Sequence, residues 1–341
     1  MNKASAWYKF AIIVIWLTAF YSCTAQVNDA QKNKIKMAKD SINNNPLICD
    51  PVEGICGIPD STASQQVTSQ QTGKPIKIVY FTDPICSSCW GIEPQLRKLK
   101  LEYGKHIEID YRMGGLLPDW SYNSGGISKP SDVAHHWDEV SAYYDMPIDG
   151  DIWLEDPLAS SYPPSIAFKA AQMQDKEKAI LFLRKMRELL FLRKKNIAKW
   201  EHMAAAAKSA GLNPEQLKID FEGKAKSLFE EDLKLAKEYG VRGFPTMIFM
   251  NSSNTREVVY GAKPYPFYET AIFKLYPQAG KSEYTKTWEA LFAQYPSLTA
   301  KEFTELSGTP RAESEKYLDE LTANGKLEKI TTKNGAIWQL K

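Results

Sequence analysis

The sequence predicts an α/β domain whose small sheet is interrupted by a block of helices, with a helix-rich module appended. Three observations predict this. Residues 76–81 (IKIVYF) are a short, β-branched apolar run of the kind a buried strand needs. Cys86-Ser87-Ser88-Cys89 follows and opens a helical pattern through Leu96, Leu99 and Tyr103, which Gly104 stops. Residues 106–113 then alternate as a strand, completing a right-handed strand–helix–strand unit.

The elements follow in order. Residues 1–22 read as an export signal. Lys3 and Lys9 supply its basic start, and residues 10–20 are largely apolar but too short to span a bilayer. Two exits are open. Ser22 before Cys23 suits lipoprotein processing, with Cys23 lipidated and the chain anchored to a membrane. Cys23-Thr24-Ala25 suits a cut ahead of Gln26 instead. Either exit places the chain outside the cytoplasm, periplasmic or membrane-anchored, where disulfides persist. Residues 23–74 are polar, with a Lys-rich helical pattern at 30–42 and a linker at 61–73.

The main domain spans residues 75–280. Its helical insertion, at about 115–225, has helices predicted at 131–144, 166–173, 176–197 and 199–210, and a capped start at Asn213-Pro214. A helix through Leu228, Phe229, Leu233, Ala236 and Tyr239 ends at Gly240. Strands at 246–250 and 256–260 and a helix at 264–275 close the domain. The stretch 184–199 is basic and amphipathic, and a solvated helix face is expected there.

Residues 281–341 form a further module. Helices are predicted at 286–295, from the capping box Thr299-Ala300-Lys301-Glu302, and from Thr309-Pro310 to Gly325. A hairpin about Asn334-Gly335 ends the chain. Three helices and a hairpin resemble a winged helix. Eight basic and nine acidic residues over 282–341 argue against nucleic acid there. The whole chain agrees, since 43 basic and 41 acidic residues leave a net charge of only +2. Protein interaction or capping is the expected role.

The cysteines carry the chemistry. Setting Cys23 aside leaves two local pairs, Cys49/Cys56 and Cys86/Cys89. The six-residue gap in the first pair is wider than structural zinc usually takes, so no metal is expected. Pro51 and Gly54 suit a tight loop that a Cys49–Cys56 disulfide closes. Such a loop is a structural staple, or a relay reaching Cys86/Cys89 across the linker. Cys86 at a helix start meets unpaired N–H groups and the positive dipole end, which lowers a thiol pKa from about 8.5. Cys89, one turn on, is placed to close or resolve a disulfide. Ser87 and Ser88 keep the turn small and offer hydroxyl donors.

A second motif, residues 241–246 (VRGFPT), lies between a helix and an apolar strand. Together with DPICSSCWG at 83–91 it resembles the DsbA-like branch of the thioredoxin superfamily, most closely its FrnE-like and SpxH-like subgroup. The resemblance covers about residues 75–278. It implies a thioredoxin fold with an inserted helical domain, and no cofactor. It implies that Cys86 and Cys89 are catalytic and that Pro245 positions substrate backbone in extended form. Phe244, Thr246, Ser87, Ser88, Asp83 and Trp90 are implied as supporting or substrate-binding residues. The acidic residue that many members place six before the first cysteine is here Tyr80, so Asp83 either moves the proton or caps the turn. The aromatics Trp120, Trp137, Tyr144 and Trp153 line a substrate groove or fill the helical core. The expected activity is thiol–disulfide exchange with exported proteins that carry thiols or disulfides, recharged by a redox partner. The alternative, implied by SpxH-like members, is a protease adapter or protein-binding scaffold with little redox turnover.

Overall fold

The central strand is β3, Ile76–Thr82, in the computed structural model. The structure describes residues 49–50, 55–57, 73–121 and 128–341. The export signal, Cys23 and the helical pattern expected at 30–42 lie outside the described residues. Every residue of β3 except Lys77 is buried, as an apolar strand covered on both faces requires. Helices α1 (Ser87–Gly91) and α2 (Glu93–Tyr103) lead from it to β4 (Ile107–Met113). β4 pairs in parallel with β3, Ile76 opposite Ile107 and Thr82 opposite Met113. β6 (Thr246–Asn251) runs antiparallel along the other edge of β3, and β7 (Arg256–Tyr260) antiparallel to β6. The sheet order is β4-β3-β6-β7.

A second, smaller sheet joins two strands that precede β3 in sequence to one that immediately precedes β6. β1 (Cys49–Asp50) and β2 (Ile55–Gly57) pair antiparallel, and β2 pairs antiparallel with β5 (Gly243–Phe244).

The insertion supplies α3 (Pro130–Tyr144), α4 (Ile152–Glu155), α5 (Tyr162–Gln174), α6 (Lys176–Arg193), α7 (Trp200–Ser209) and α8 (Pro214–Glu222). α9 (Ala225–Glu238) returns the chain to the sheet, and α10 (Tyr265–Leu275) packs beside β7. The caps explain the boundaries. The Asp175 carboxylate accepts from the Glu177 and Lys178 amides to start α6, and the Asn213 side chain accepts from Gln216 N to start α8.

The C-terminal module is α11 (Trp288–Gln294), β8 (Ser297–Thr299), α12 (Ala300–Ser307), α13 (Arg311–Ala323), β9 (Leu327–Thr332) and β10 (Gly335–Leu340). The capping box forms: Thr299 N donates to Glu302 Oε2 at 2.8 Å and Glu302 N to Thr299 Oγ1 at 3.2 Å. β8 was not legible in the sequence. Its three residues are too few for an alternation pattern, and they add to β10 to give the order β8-β10-β9. Leu291, Phe292, Leu298, Phe303, Leu318 and Trp338 build this module its own core.

The solvated basic face expected at 184–199 is corrected by α6. Arg184, Arg187 and Glu188 are buried. Phe182, Leu183, Met186, Leu190 and Phe191 bury α6 around most of its girth, so the basic residues between them are carried inward and meet carboxylates from other helices. Arg184 donates to both oxygens of Glu302, at 2.7 and 3.0 Å, and to Glu188 at 2.8 Å. Its guanidinium also lies 4.3 Å from the centre of the Trp90 ring. Arg97 of α2 lies 3.3 Å from Glu302 and donates to the Ser297 carbonyl at 2.8 Å. This network fastens the C-terminal module to α2 and α6. Removing one member leaves buried charge uncompensated, which typically costs about 3–5 kcal/mol. Glu302→Ala is therefore expected to lower the unfolding free energy by about that amount in urea, and to open the stretch 277–286 to limited proteolysis.

Candidate functional site

Cys86 is the N-cap of α1, and its Sγ accepts a hydrogen bond from the Cys89 amide at 3.1 Å. Both thiols are buried and not joined in a disulfide. Cys86, Cys89 and Trp90 lie in one continuous core with β3 and the insertion helices, and Ser87 and Ser88 are buried with them. Ser88 Oγ accepts from the Tyr144 hydroxyl at 3.1 Å. A Cβ on Gly91 would come within 2.5 Å of the Tyr144 ring, so α1 tolerates no side chain there.

The sequence expectation placed the acidity on Cys86, and in the structure the two thiols share one ionisation. Burial and the neighbouring Cys89 sulfur push the Cys86 thiol up. Burial also opposes ionisation of Cys89. The hydrogen bond from Cys86, the Arg187 guanidinium, the Thr82 hydroxyl and the Asp83 backbone amide outweigh it and bring Cys89 below an ordinary thiol. The buried Arg187 guanidinium lies against the pair and favours a thiolate on either sulfur. One negative charge is shared across the two sulfurs.

Arg187 was not singled out by sequence reasoning. It is fully buried and donates to Glu93 Oε1 at 2.7 Å, to Thr82 Oγ1 at 2.7 Å and to the Asp83 carbonyl at 3.1 Å. Its helical spacing from Leu183, Leu190 and Phe191 was the available signal.

Asp83 caps the turn before Cys86. Its carboxylate accepts from Ile85 N at 3.0 Å, Leu116 N at 2.8 Å and Ser161 Oγ at 2.9 Å. Burial still dominates these bonds and raises its pKa to about 6. Ser161 thus belongs to the wall of the site. Tyr80, in the position where an acid was looked for, is buried, and burial pushes its pKa up, so it keeps its proton.

The peptide bond Phe244–Pro245 is cis and joins β5 to β6. Phe244 is buried against Gly114, where a Cβ would meet its ring at 1.8 Å. Thr246 Oγ1 donates to the Gly243 carbonyl at 2.7 Å, tying the turn on itself. Trp90 stands in the core rather than in a groove. Its indole N–H donates to the Pro147 carbonyl at 3.1 Å and its ring stacks on Phe191 at 5.5 Å. Trp137 and Trp153 are likewise buried, in edge contact at 5.1 Å, and serve the core. Trp120 is half-buried and meets Trp153 edge-on at 5.8 Å. Among the described residues there is no cluster of His, Cys, Asp or Glu that could hold a metal ion.

A family model described as thioredoxin matches residues 80–270, more than half of the chain. The chain belongs to the DsbA-like thioredoxin family. Within it, the chain is similar to the ClpXP adapter protein SpxH of Halalkalibacterium halodurans, 35% identical over 302 residues, or 86% of this chain and 97% of the relative. The SpxH of Bacillus subtilis is 30% identical over 271 residues, covering 78% and 89% respectively. Among solved structures, a putative protein disulfide isomerase from Nitrosomonas europaea superposes with a TM-score of 0.52 at 20% identity, over 61% of this chain and all of that one, and so shares the fold.

Two predictions follow from the site's charges. Arg187→Met is expected to raise the first thiol ionisation by roughly one pH unit or more, read as thiolate absorbance or alkylation rate against pH. For Asp83, the native pKa near 6 exceeds the unfolded value, so the folded chain binds a proton between about pH 4 and 6 that the unfolded chain does not. Stability therefore falls as pH rises through that window, by about 3 kcal/mol for a two-unit shift. Urea unfolding at several pH values should show that slope, and Asp83→Asn should flatten it.

Proposed function

We propose that this chain is a protein-binding adapter of the SpxH type, which holds a partner protein for a ClpXP-type protease. One observation carries the reading: likeness to a relative named as a ClpXP adapter runs through 97% of that relative, well beyond the thioredoxin span 80–270. The buried Arg184–Glu302 network supports it physically. It holds the C-terminal module against the helices that surround the CxxC turn, so the two parts offer a partner one fixed surface.

Thiol–disulfide exchange with exported proteins is a second reading, favoured by a specific observation. The two cysteines are hydrogen-bonded to each other one turn apart and face the buried Arg187 cation, both of which favour a thiolate in the pair. An inert thiol pair in a core needs neither. Export of the chain, with Cys23 as lipid anchor or a cut ahead of Gln26, goes with this reading.

The two readings part in one set of measurements. The adapter is expected to speed degradation of an Spx-type regulator by reconstituted ClpXP several-fold, and Cys86→Ser/Cys89→Ser to do so equally well. Fractionation should then find the chain in the cytoplasm with Met1 retained. No acceleration, with processed protein outside the cytoplasm and turnover of a model disulfide, would leave exchange as the function.

A further inference from the structure

β2 is a strand of this chain laid on the edge of β5. Cys56 is the register partner of Phe244 and Gly57 of Gly243, and Phe244 is the residue immediately before Pro245. The β2 backbone also comes within 8 Å of α1, the helix that Cys86 caps. Strand addition of this kind is how a sheet edge takes a peptide: main-chain bonds hold it and the register decides which residue reaches the site. Here the register sets a cysteine, Cys56, opposite Phe244.

The other strand of the hairpin completes the arrangement. Cys49 stands directly opposite Cys56 in the β1–β2 pair. Opposed residues of antiparallel strands have Cα atoms about 4.5–5.5 Å apart, inside the roughly 4.4–6.8 Å that a disulfide spans. The pair can therefore close and open with the backbone where it is. Meanwhile Cys86 and Cys89 are both buried. A disulfide on another protein has to displace something to reach them, whereas the hairpin is already docked.

We infer that Cys49/Cys56 is a second redox pair that exchanges its disulfide with Cys86/Cys89 within the same chain. The inference rests on the exchange reading. Its atoms balance as follows. The Cys49–Cys56 disulfide is first made by an external low-molecular-weight disulfide such as glutathione disulfide. The Cys89 thiolate takes the proton of Cys86, and the Cys86 sulfur attacks that of Cys56. The Cys56–Cys86 bond forms, the Cys49–Cys56 bond breaks, and Cys49 leaves as thiolate. Cys89 then loses its proton to water and attacks Cys86. The Cys86–Cys89 bond forms and Cys56 leaves as thiolate. Both leaving thiolates are protonated from water. Two electrons have passed from Cys86/Cys89 to Cys49/Cys56, the one proton of the starting pair has gone to water and two have been taken from water, and the reverse order charges the pair the other way.

The test uses the full chain in a Cys23→Ser background. Cys49→Ser/Cys89→Ser leaves only Cys56 and Cys86. Oxidised with glutathione disulfide, acid-quenched and digested, it is expected to yield the Cys56–Cys86 linked peptide in most molecules. Cys56→Ser/Cys89→Ser, which leaves Cys49 and Cys86, is expected to yield at least several-fold less linkage. Equal linkage in both variants, or separate glutathione adducts with no linked peptide, overturns the inference. Turnover of a model disulfide by the chain with all four of these cysteines, measured in the same preparation, separates the outcomes: with turnover only the relay fails, without it the exchange reading fails as well.

Discussion

The site depends on one buried cation. Arg187 has no exposure, and taking a guanidinium out of water is costly unless its surroundings answer the charge. Glu93, the Thr82 hydroxyl and the Asp83 carbonyl answer it directly, and the thiol pair answers it through space. The dependence runs both ways. The cation draws negative charge onto the cysteines, and the cysteine turn is held where it is because β3, α2 and α6 all converge on that guanidinium. A short helix start alone gives a sulfur one amide hydrogen bond, at 3.1 Å from Cys89 N.

The same carboxylate of Glu93 lies within reach of Arg97 and Arg184 as well, and these two share Glu302 of the C-terminal module. Charges that surround the active turn are thus continuous with charges that fasten a module two hundred residues away in sequence. Buried ion pairs are weak evidence for added stability, because desolvation consumes most of the attraction. What they do supply is position: a pairing of this kind is poor in any other arrangement of the two parts. A partner that touched both the module and the thioredoxin domain would meet a surface already set.

The fold was legible because its signals are local. The apolar run of β3, the alternation of β4, the cap at Asn213 and the capping box at Thr299 are each settled by neighbours a few residues off. The parts of the site set by the same kind of signal were also legible: Cys86 at a helix start, and Asp83 as the cap of its turn. Long-range pairing was not. Arg184 and Arg187 look like a solvated stripe until Glu302 and Glu93, far away in sequence, are brought to them. The cation beside the two thiols is hidden for the same reason. Trp90 was expected to support or bind substrate because its place beside the cysteines is visible in the sequence and its contacts with Pro147 and Phe191 are not.

Adapter and exchange readings share one structural fact, the edge of β5 beside Pro245. An edge with unpaired backbone groups invites a strand, and proteins commonly cover such edges. This chain covers it with β2. Whatever polypeptide is to pair there must first displace that hairpin or arrive in its place. For an adapter, the hairpin then competes with the partner. For an exchange enzyme, it is the partner nearest to hand, because tethering gives it a high effective concentration at the edge. The two-residue pairing of β2 with β5 is short enough to be exchanged for a longer strand, so the edge can be covered at rest and open to a stronger binder.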